Sequence, residues 1–406
     1  MIIRLLLSIV IGVYSCYCHA QEDESLKYMR GSLCIMMIEH PTRQYNQEIE
    51  RVFKAMNTPD RFNNHDVGVR IIRFSNDLDQ RANVVAFAKE NSLAKRFVSK
   101  WFCRNKKTGG FNMDLVKARG YNNATQIDVE AALLQHKGLA ILEDAGENLI
   151  GHTYWVVNDV QYANQGNFFT GLKDVANLAA SSAEAISTKG KSLEKAFDNK
   201  NVDVLDALEN VKGFRVKITS YLFRLKWNEE IQNKFYVDYY TETPAEETGK
   251  VKAFTDDKDL FSLEYVGSVT STSSKTSISG VTTNESMITK VCTRALDKNI
   301  ADLQHEFPDF RIKAQLVSTD PLKAYVGMKE DITEKSRFEV LEIYKDERGI
   351  TTYKRVGEIK PIKGRIWDNR FMANLEGSQE SQLGATFFQK VSGGDFTNSM
   401  LIREIK

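Results

Sequence analysis

The sequence predicts an α+β or α/β chain: a mixed N-terminal domain interrupted by a helical insertion, then a small C-terminal β-barrel. Three observations lead there. Between Gly31 and about Asn122, short apolar runs of strand length alternate with segments whose apolar residues recur at helical spacing. Between Gln161 and about Lys212 the composition shifts to Ala, Ser and Lys with only a thin apolar stripe. From Phe310 on, nearly every segment is a short alternating strand closed by turn residues, at roughly ten-residue spacing. The expected divisions are a signal peptide at 1–20, a first part of the α/β domain at 21–160 and the helical insertion at 161–212. A second part at 213–309 carries a long β-hairpin and a Ser/Thr-rich loop, and the barrel fills 310–406.

The leader is read from one positive charge, Arg4, an apolar run from Leu5 to Tyr14, and small or polar residues to Ala20. The run is shorter than the ~20 residues a membrane-spanning helix needs. Two cuts compete. Cleavage after Ala20 sets Cys18 and Ala20 at the small-residue positions of signal peptidase and frees the chain. A lipoprotein cut instead uses Ser15 before Cys16, with Val13 further upstream and bulky Tyr14 between, and leaves an acylated Cys16.

Within the first part, "LCIMMIE" is a strand and "QYNQEIERVFKAM" a helix with Tyr45, Ile49, Val52 and Phe53 on one face. "VGVRIIRF" reads as a second strand. "NVVAFAKENSLAKRFVSKWF" reads as one long helix with Val84, Phe87, Ala88, Leu93, Phe97 and Trp101 inward. Thr125 with Asp128 opens a helix through "QIDVEAALLQH", which Lys137-Gly138 closes. "LAILEDAGENLI" is a further helix and "TYWVVNDV" a strand. The insertion presents Phe168, Phe169, Leu172, Val175 and Leu178 as a narrow greasy face, suited to a neighbouring subunit or a membrane surface.

The second part begins with the strand "GFRVKITSYLFRLKW". Phe214, Val216 and Ile218 mark one face, but from Tyr221 the apolar residues shift to the other, through Phe223, Leu225 and Trp227. Such a flip implies a bulge or a strand that leaves the body. A "NEE" turn then leads to the strand "KFYVDYYTE". The tract "SVTSTSSKTSISGVTTNES" is either a loop or an edge ribbon. "MITKVCTRALDKNIADLQHEF" is an amphipathic helix. In the barrel, "RFEVLEIY" and "TTYKRVGEIKPI" form a hairpin around "KDERG", and "RIWDN", "ATFFQKV" and "MLIREI" supply three more strands.

The chain carries 55 basic and 54 acidic residues, and loss of Arg4 with the leader balances them at 54 each. That balance excludes the basic surplus a nucleic-acid binder needs for phosphate contacts. Cys34, Cys103 and Cys292 remain past the leader, an odd number without Cys-x-x-Cys spacing. They read as three buried thiols, with a Cys34–Cys103 bridge as the alternative. No two of His40, His65, His136, His152 and His305 stand at metal-ligand spacing, so no metal and no cofactor are expected. Glu143 and Glu147 share a helix face with Asp144 beside them. Asp257 and Asp259 lack the Gly and distal Glu of a calcium loop, and Gly109-Gly110 lacks the Lys-Ser/Thr of a P-loop.

One resemblance adds to this. "AYVGMKEDITEKSRFEVLE", "VGEIKPIKGRIWDN" and "VSGGDFTNSMLIREI" resemble the C-terminal domain of the flagellar assembly protein T family, through Gly327, Phe338, Val340, Val356, Gly357, Ile359, Gly394 and Asp395. Lys335-Ser336-Arg337 departs from the Lys-Gly-Asp turn of that pattern. The resemblance covers about a quarter of the chain and implies an SH3-like barrel in a bacterial envelope setting. At fold level alone, an α/β domain with an inserted element is similar to curli-type export lipoproteins. The whole chain resembles exported, uncharacterised proteins of Gram-negative bacteria.

The expectation is a non-catalytic exported protein, periplasmic, outer-membrane-associated or secreted, whose partners are other envelope proteins, copies of itself or a membrane surface. The competing expectation is an exported hydrolase using Cys103 with His40 or His152, or a carboxylate pair. A glycan or small-ligand binder would draw on Trp155, Trp227 and Trp367.

Overall fold

A computed structural model describes residues 31–43, 45–59, 62–74, 79–123, 147, 149–164, 211–278, 284–311, 313–345, 351–376, 379–398 and 400–405. The leader, the helix expected at "QIDVEAALLQH", most of "LAILEDAGENLI" and the body of the insertion lie outside them. Strand takes the first four and last two residues assigned to that insertion, as shown below.

The α/β domain is organised around β1 (Gly31–Glu39), whose nine residues are all buried. A strand covered on both faces carries a continuous apolar run, as "LCIMMI" does. On one side β1 pairs in parallel with β2 (Phe62–Asn64) at its start and β3 (Ile71–Arg73) at its end. On the other it pairs in parallel with β4 (Thr153–Asn164). From β4 the sheet turns antiparallel through β5 (Val211–Leu225) to β6 (Leu263–Ile278), giving the order β2-β1-β4-β5-β6. The Ser/Thr-rich tract is thus a strand as far as Ile278.

Among the described residues, six shorter helices and one long one cover this sheet. Val84 of α2 (Gln80–Glu90) and Phe97 and Trp101 of α3 (Leu93–Trp101) pack on one face with Trp155, Val157 and Phe223. α4 (Asp114–Asn123) supplies Leu115 and Val116 to the same core. α5 (Glu229–Asp238) and α6 (Thr248–Asp256) close it with Phe235 and Phe254. On the opposite face, α1 (Asn46–Ala55) and α7 (Asn284–Glu306) bury Ile49, Phe53, Val291, Ala295 and Leu303 against Tyr154, Val156 and Ile218.

The structure corrects five expectations. The long helix is two, because Ser92 takes a left-handed conformation (φ 47°) between α2 and α3. "KFYVDYYTE" is not a strand: Asn228 caps α5 by accepting from Ile231 N at 3.0 Å, and Ile231 and Phe235 are buried one turn apart. "VGVRIIRF" contributes only three residues to β3, and "RIWDN" only an isolated bridge between Gly327 and Trp367. The phase flip has a cause different from a bulge in its own strand. β5 alternates regularly against β4, and from Tyr221 onward its second face becomes covered as well, so Leu222 and Phe223 are both buried. The bulge sits in β6, where Leu222 opposes Gly267 and Phe223 opposes Tyr265, leaving Val266 as the extra residue.

α7 is tied to the sheet by buried polar groups. Asn299 donates to Ile218 O at 3.0 Å and to Ser220 Oγ at 2.6 Å, and accepts from Ser271. Ser220 donates in turn to Asn158 Oδ1 at 2.6 Å, whose amide reaches Met36 O at 3.3 Å. One side-chain chain therefore links α7 to β1 across β4 and β5.

The C-terminal residues form a closed six-strand antiparallel barrel in the order β10-β11-β8-β7-β12-β9. Its strands are β7 (Ala314–Thr319), β8 (Leu322–Ala324), β9 (Arg337–Lys345), β10 (Thr351–Pro361), β11 (Thr386–Gly393) and β12 (Leu401–Ile405). Phe338, Val340 and Ile359 fill its core, with Val356 packed against it. A Cβ at Gly357 would fall 2.5 Å from Ser392 O, so that position admits only glycine. The barrel leans on α7 through Lys298–Asp331 at 3.6 Å, Lys329–Asp297 at 3.8 Å, Arg294 to Phe371 O at 3.0 Å and His305–Glu404 at 2.8 Å.

The Glu404 hydrogen bond, outweighing the opposing effect of burial, holds the half-buried His305 imidazole above its ordinary 6.5, and nearby Asp331 and Asp302 add to the shift. A raised folded value means stability that is complete below pH 6.5 and lost as pH rises through the folded value. Relative to a His305→Gln variant, the wild-type chain is expected to keep its full stability advantage below about pH 6.5 and to lose it as pH rises above that, measured by urea unfolding at a pH series. A pH-independent difference would show that the imidazolium does not hold this junction. A second test concerns the β6 bulge, where a Cβ on Gly267 would lie 2.1 Å from Phe307 Cζ. Gly267→Ala is expected to cost about 2 kcal/mol, and Phe307→Leu in the same chain is expected to recover part of that loss in the unfolding midpoint.

Candidate functional site

β1 ends at Glu39, and its last pairs with β4 are Met37↔Asn158 and Ile38↔Asp159. β4 continues five residues further, to Asn164, still paired with β5 down to Phe214. β5 and β6 continue beyond that, to Val211↔Ile278. Three strands therefore outrun the centre of the sheet and form a ribbon. From Thr219 to Val211 it extends about 27 Å.

The two faces of this ribbon differ. On one, Val160, Val216 and Ile218 are buried beneath α7, and Tyr162 meets Tyr45 edge-to-face at 4.6 Å. On the other, the cross-strand row Gln161, Lys217 and Thr272 is exposed, as are Arg215 and Thr270. Thr219 and Thr270 share a hydroxyl hydrogen bond of 2.9 Å on that face. These residues are polar and exposed, on a strand surface that elsewhere in this sheet carries helices.

A buried ionic clamp stands at the ribbon's base. Asp159 accepts from His40 Nε2 at 2.8 Å and Arg43 Nη1 at 2.6 Å, and Arg43 also reaches Val160 O at 3.0 Å. Next to it Glu39 pairs with Arg73 of β3, one bond measuring 2.8 Å. Burial pushes the Asp159 carboxyl up, but the two hydrogen bonds and the Arg43 charge outweigh it and hold the group below 3.8. The clamp occupies the carboxyl end of β1, where the chain order reverses between β3 and β4 and open α/β sheets bind ligands. Here the protein's own side chains fill that crevice, and His40 and Asp159 are both buried.

The residues singled out from sequence are scattered. Cys16, Phe168, Phe169, Leu172, Val175 and Leu178 lie outside the described residues, as do His136, Glu143 and Asp144. Among the described residues Cys34, Cys103 and Cys292 are thiols, with no Cys34–Cys103 bridge. Cys34 and Cys292 sit in opposite cores, and burial pushes each thiol up to about 12. Cys103 is only half-buried, in a left-handed conformation (φ 42°) two residues past α3. Trp101 Nε1 bonds Thr153 Oγ1 at 2.7 Å, which fixes that end of α3 at the amino end of β4. His40 closes the other end of β1, about 25 Å along the strand, so Cys103 and His40 do not form a dyad. His152 is exposed at the same end as Cys103.

Other candidates have structural duties. Glu147 accepts from Gln232 and Tyr236. Asp257 accepts from Asp259 N, Leu260 N and Tyr239 OH, so "TDDKDL" is a turn around α6. Trp155 is fully buried core. No group of three or more His, Cys, Asp or Glu among the described residues is placed to hold a metal ion. No helix among them is long and apolar enough to cross a membrane. A small cleft between α7 and the barrel is lined by His305, Arg311, Glu330, Phe338 and Glu404. The clamp escaped sequence reading because Asp159 lies 119 residues from His40 and 116 from Arg43, with no spacing signal between them.

No protein-family model matches this chain, and no curated protein matches it.

Asp159→Asn would leave His40 and Arg43 without their carboxylate. It is expected to cost about 3 kcal/mol in urea unfolding at pH 7. Because the folded carboxyl value lies below the ordinary one, the wild-type advantage should persist down to about pH 4 and fade only below it. Equal stabilities at pH 7 would show that the clamp carries no load.

Proposed function

We propose that this chain is a non-catalytic exported protein of the cell envelope that acts by assembly, with other envelope proteins or with copies of itself. The observation that carries the reading is the ribbon: a rigidly based strand surface, polar and uncovered on one face, projecting past the core. Protein surfaces of this kind suit backbone-mediated strand addition and polar contact, not the enclosure of a small substrate. The leader-like N-terminus supports export. The barrel's resemblance to the flagellar assembly protein T C-terminal domain, SH3-like in that family, supports an envelope setting. Gly327, Phe338, Val340, Gly357 and Ile359 occupy core or close-packed positions of the barrel, consistent with a scaffold role for that motif.

The test is site-specific photo-crosslinking in the envelope fraction of the native host. A crosslinking side chain at Lys217 or Thr272, on the bare ribbon face, is expected to capture a second polypeptide. The same group at Val237, exposed on α5, is expected to give background only. Equal yields at all three positions would remove the ribbon as the working surface.

A further inference from the structure

We infer that β6 pairs edge to edge, antiparallel, with β6 of a second copy of this chain about a two-fold axis. The inference rests on the assembly reading and names its partner. β6 is sixteen residues long and is the last strand of the sheet, with no strand on its outer edge among the described residues. An edge of that length is usually blunted by proline, by lysines, by bulges or by shortness, and here the bulge at Val266 lies near one end and leaves a regular run from Gly267 to Ile278. This one contains no proline and two charges only, Glu264 near one end and Lys275 near the other. The ten residues between them, "YVGSVTSTSS", are uncharged and rich in Ser, Thr and Val.

One charge of each sign at opposite ends is self-complementary in one arrangement. Antiparallel pairing brings Glu264 of each copy to Lys275 of the other, making two attractive pairs. Parallel pairing sets like beside like. The register adds a condition, since directly opposed residues must share a face and a two-fold axis through the sheet preserves faces. Glu264 and Lys275 are eleven positions apart and would fall on opposite faces of a regular strand. The bulge removes the conflict: Glu264 opposes Arg224 of β5 and Lys275 opposes Phe214, ten residues apart and so on one face. With Thr270 on the axis, Gly267 meets Ser273 of the second copy. The extra residue Val266 then takes up the shift, so that Tyr265 meets Ser274 and Glu264 meets Lys275. A single register thus satisfies charge and face together.

The helix layer is compatible with the same axis. Asn299 of α7 bonds both β5 and β6, so α7 lies over those two strands. Strands about 4.8 Å apart would place the two copies of α7 about 10 Å apart, within helix-packing distance.

The experiment is sedimentation velocity on the full chain purified from its host, across a concentration series. The wild type is expected to dimerise. Glu264→Lys or Lys275→Glu alone turns two attractive pairs into two repulsive ones and should weaken the dimer about tenfold. The double variant E264K/K275E should restore wild-type association. Both positions lie on an outer edge strand, so the circular dichroism spectra of all four folded chains are expected to coincide at room temperature, while their melts follow the strength of association. A wild-type monomer at every concentration, single reversals without effect, or a double variant that fails to recover would each overturn the inference. A monomer whose ribbon still crosslinks to a different envelope protein overturns this pairing and leaves the assembly reading standing. Absence of any ribbon crosslink overturns both.

Discussion

The structure depends on a mismatch of lengths: β4, β5 and β6 outrun β1 and the helices on one of its two faces. β1 is buried along all nine residues, which obliges the domain to supply helices on both faces. Those helices cover the second face of β5 only from Tyr221 onward. Before that point the same face carries Arg215, Lys217 and Thr219, and the strand carries polar side chains there because no helix among the described residues covers it. The pattern of β5 is therefore a record of where the helical layer stops. The clamp of His40, Arg43 and Asp159 stands at that boundary, where a backbone leaving the core would otherwise be free to twist away.

Two buried polar networks fix the domain's register at the other levels. Arg119 donates to Ser32 Oγ at 2.7 Å and to His65 Nδ1 at 3.0 Å, and its guanidinium lies 4.3 Å over the Trp101 ring. Since Nδ1 accepts, Nε2 carries the proton and donates to Phe97 O at 3.0 Å. Burial, with the Arg119 charge beside it, pushes the imidazole well below its ordinary value, so His65 is neutral and serves as a spacer between α3, α4 and β1. The chain through Asn158, Ser220 and Asn299 does the same on the opposite face. Unmade bonds in either place would leave buried donors unsatisfied, which penalises any alternative packing more than it stabilises the native one.

How much of this was legible in the sequence follows from the range of each interaction. Barrel strands β9 to β12, with β1, α1 and α7, were readable because period and turn chemistry are local, whereas β7 and the three-residue β8 carry too short a pattern to stand out. α5 was misread because "KFYV" alternates like a strand, while the decisive signal was Asn228 followed by two glutamates, a cap and a first turn. The break between α2 and α3 was written in Asn91-Ser92, a pair that apolar periodicity carries the eye across. The clamp, the Arg119–His65 contact and the bulge at Val266 had no local signature, since each arises when strands distant in sequence are set side by side. The ribbon was half-visible: the phase flip at Tyr221 marked the right place, and of its two readings, a bulge or a strand leaving the body, the second describes β5 while the bulge lies in β6.

α7 joins the two parts that a function must connect. Its inward face carries Asn299 into β5 and β6, and its outward face carries Arg294, Asp297, Lys298 and His305 to the barrel. The inward contacts are buried amide and hydroxyl bonds. The barrel contacts are mostly ion pairs across distances up to 3.8 Å, with groups open to solvent. Bonds of the first kind keep their strength in salt and across pH, whereas the second kind are weakened by screening and, at His305, by deprotonation. The helix is accordingly a rigid part of the ribbon's base and a softer seat for the barrel. The contacts between α7 and the barrel are therefore the ones that salt and pH act on first, ahead of those between α7 and the sheet.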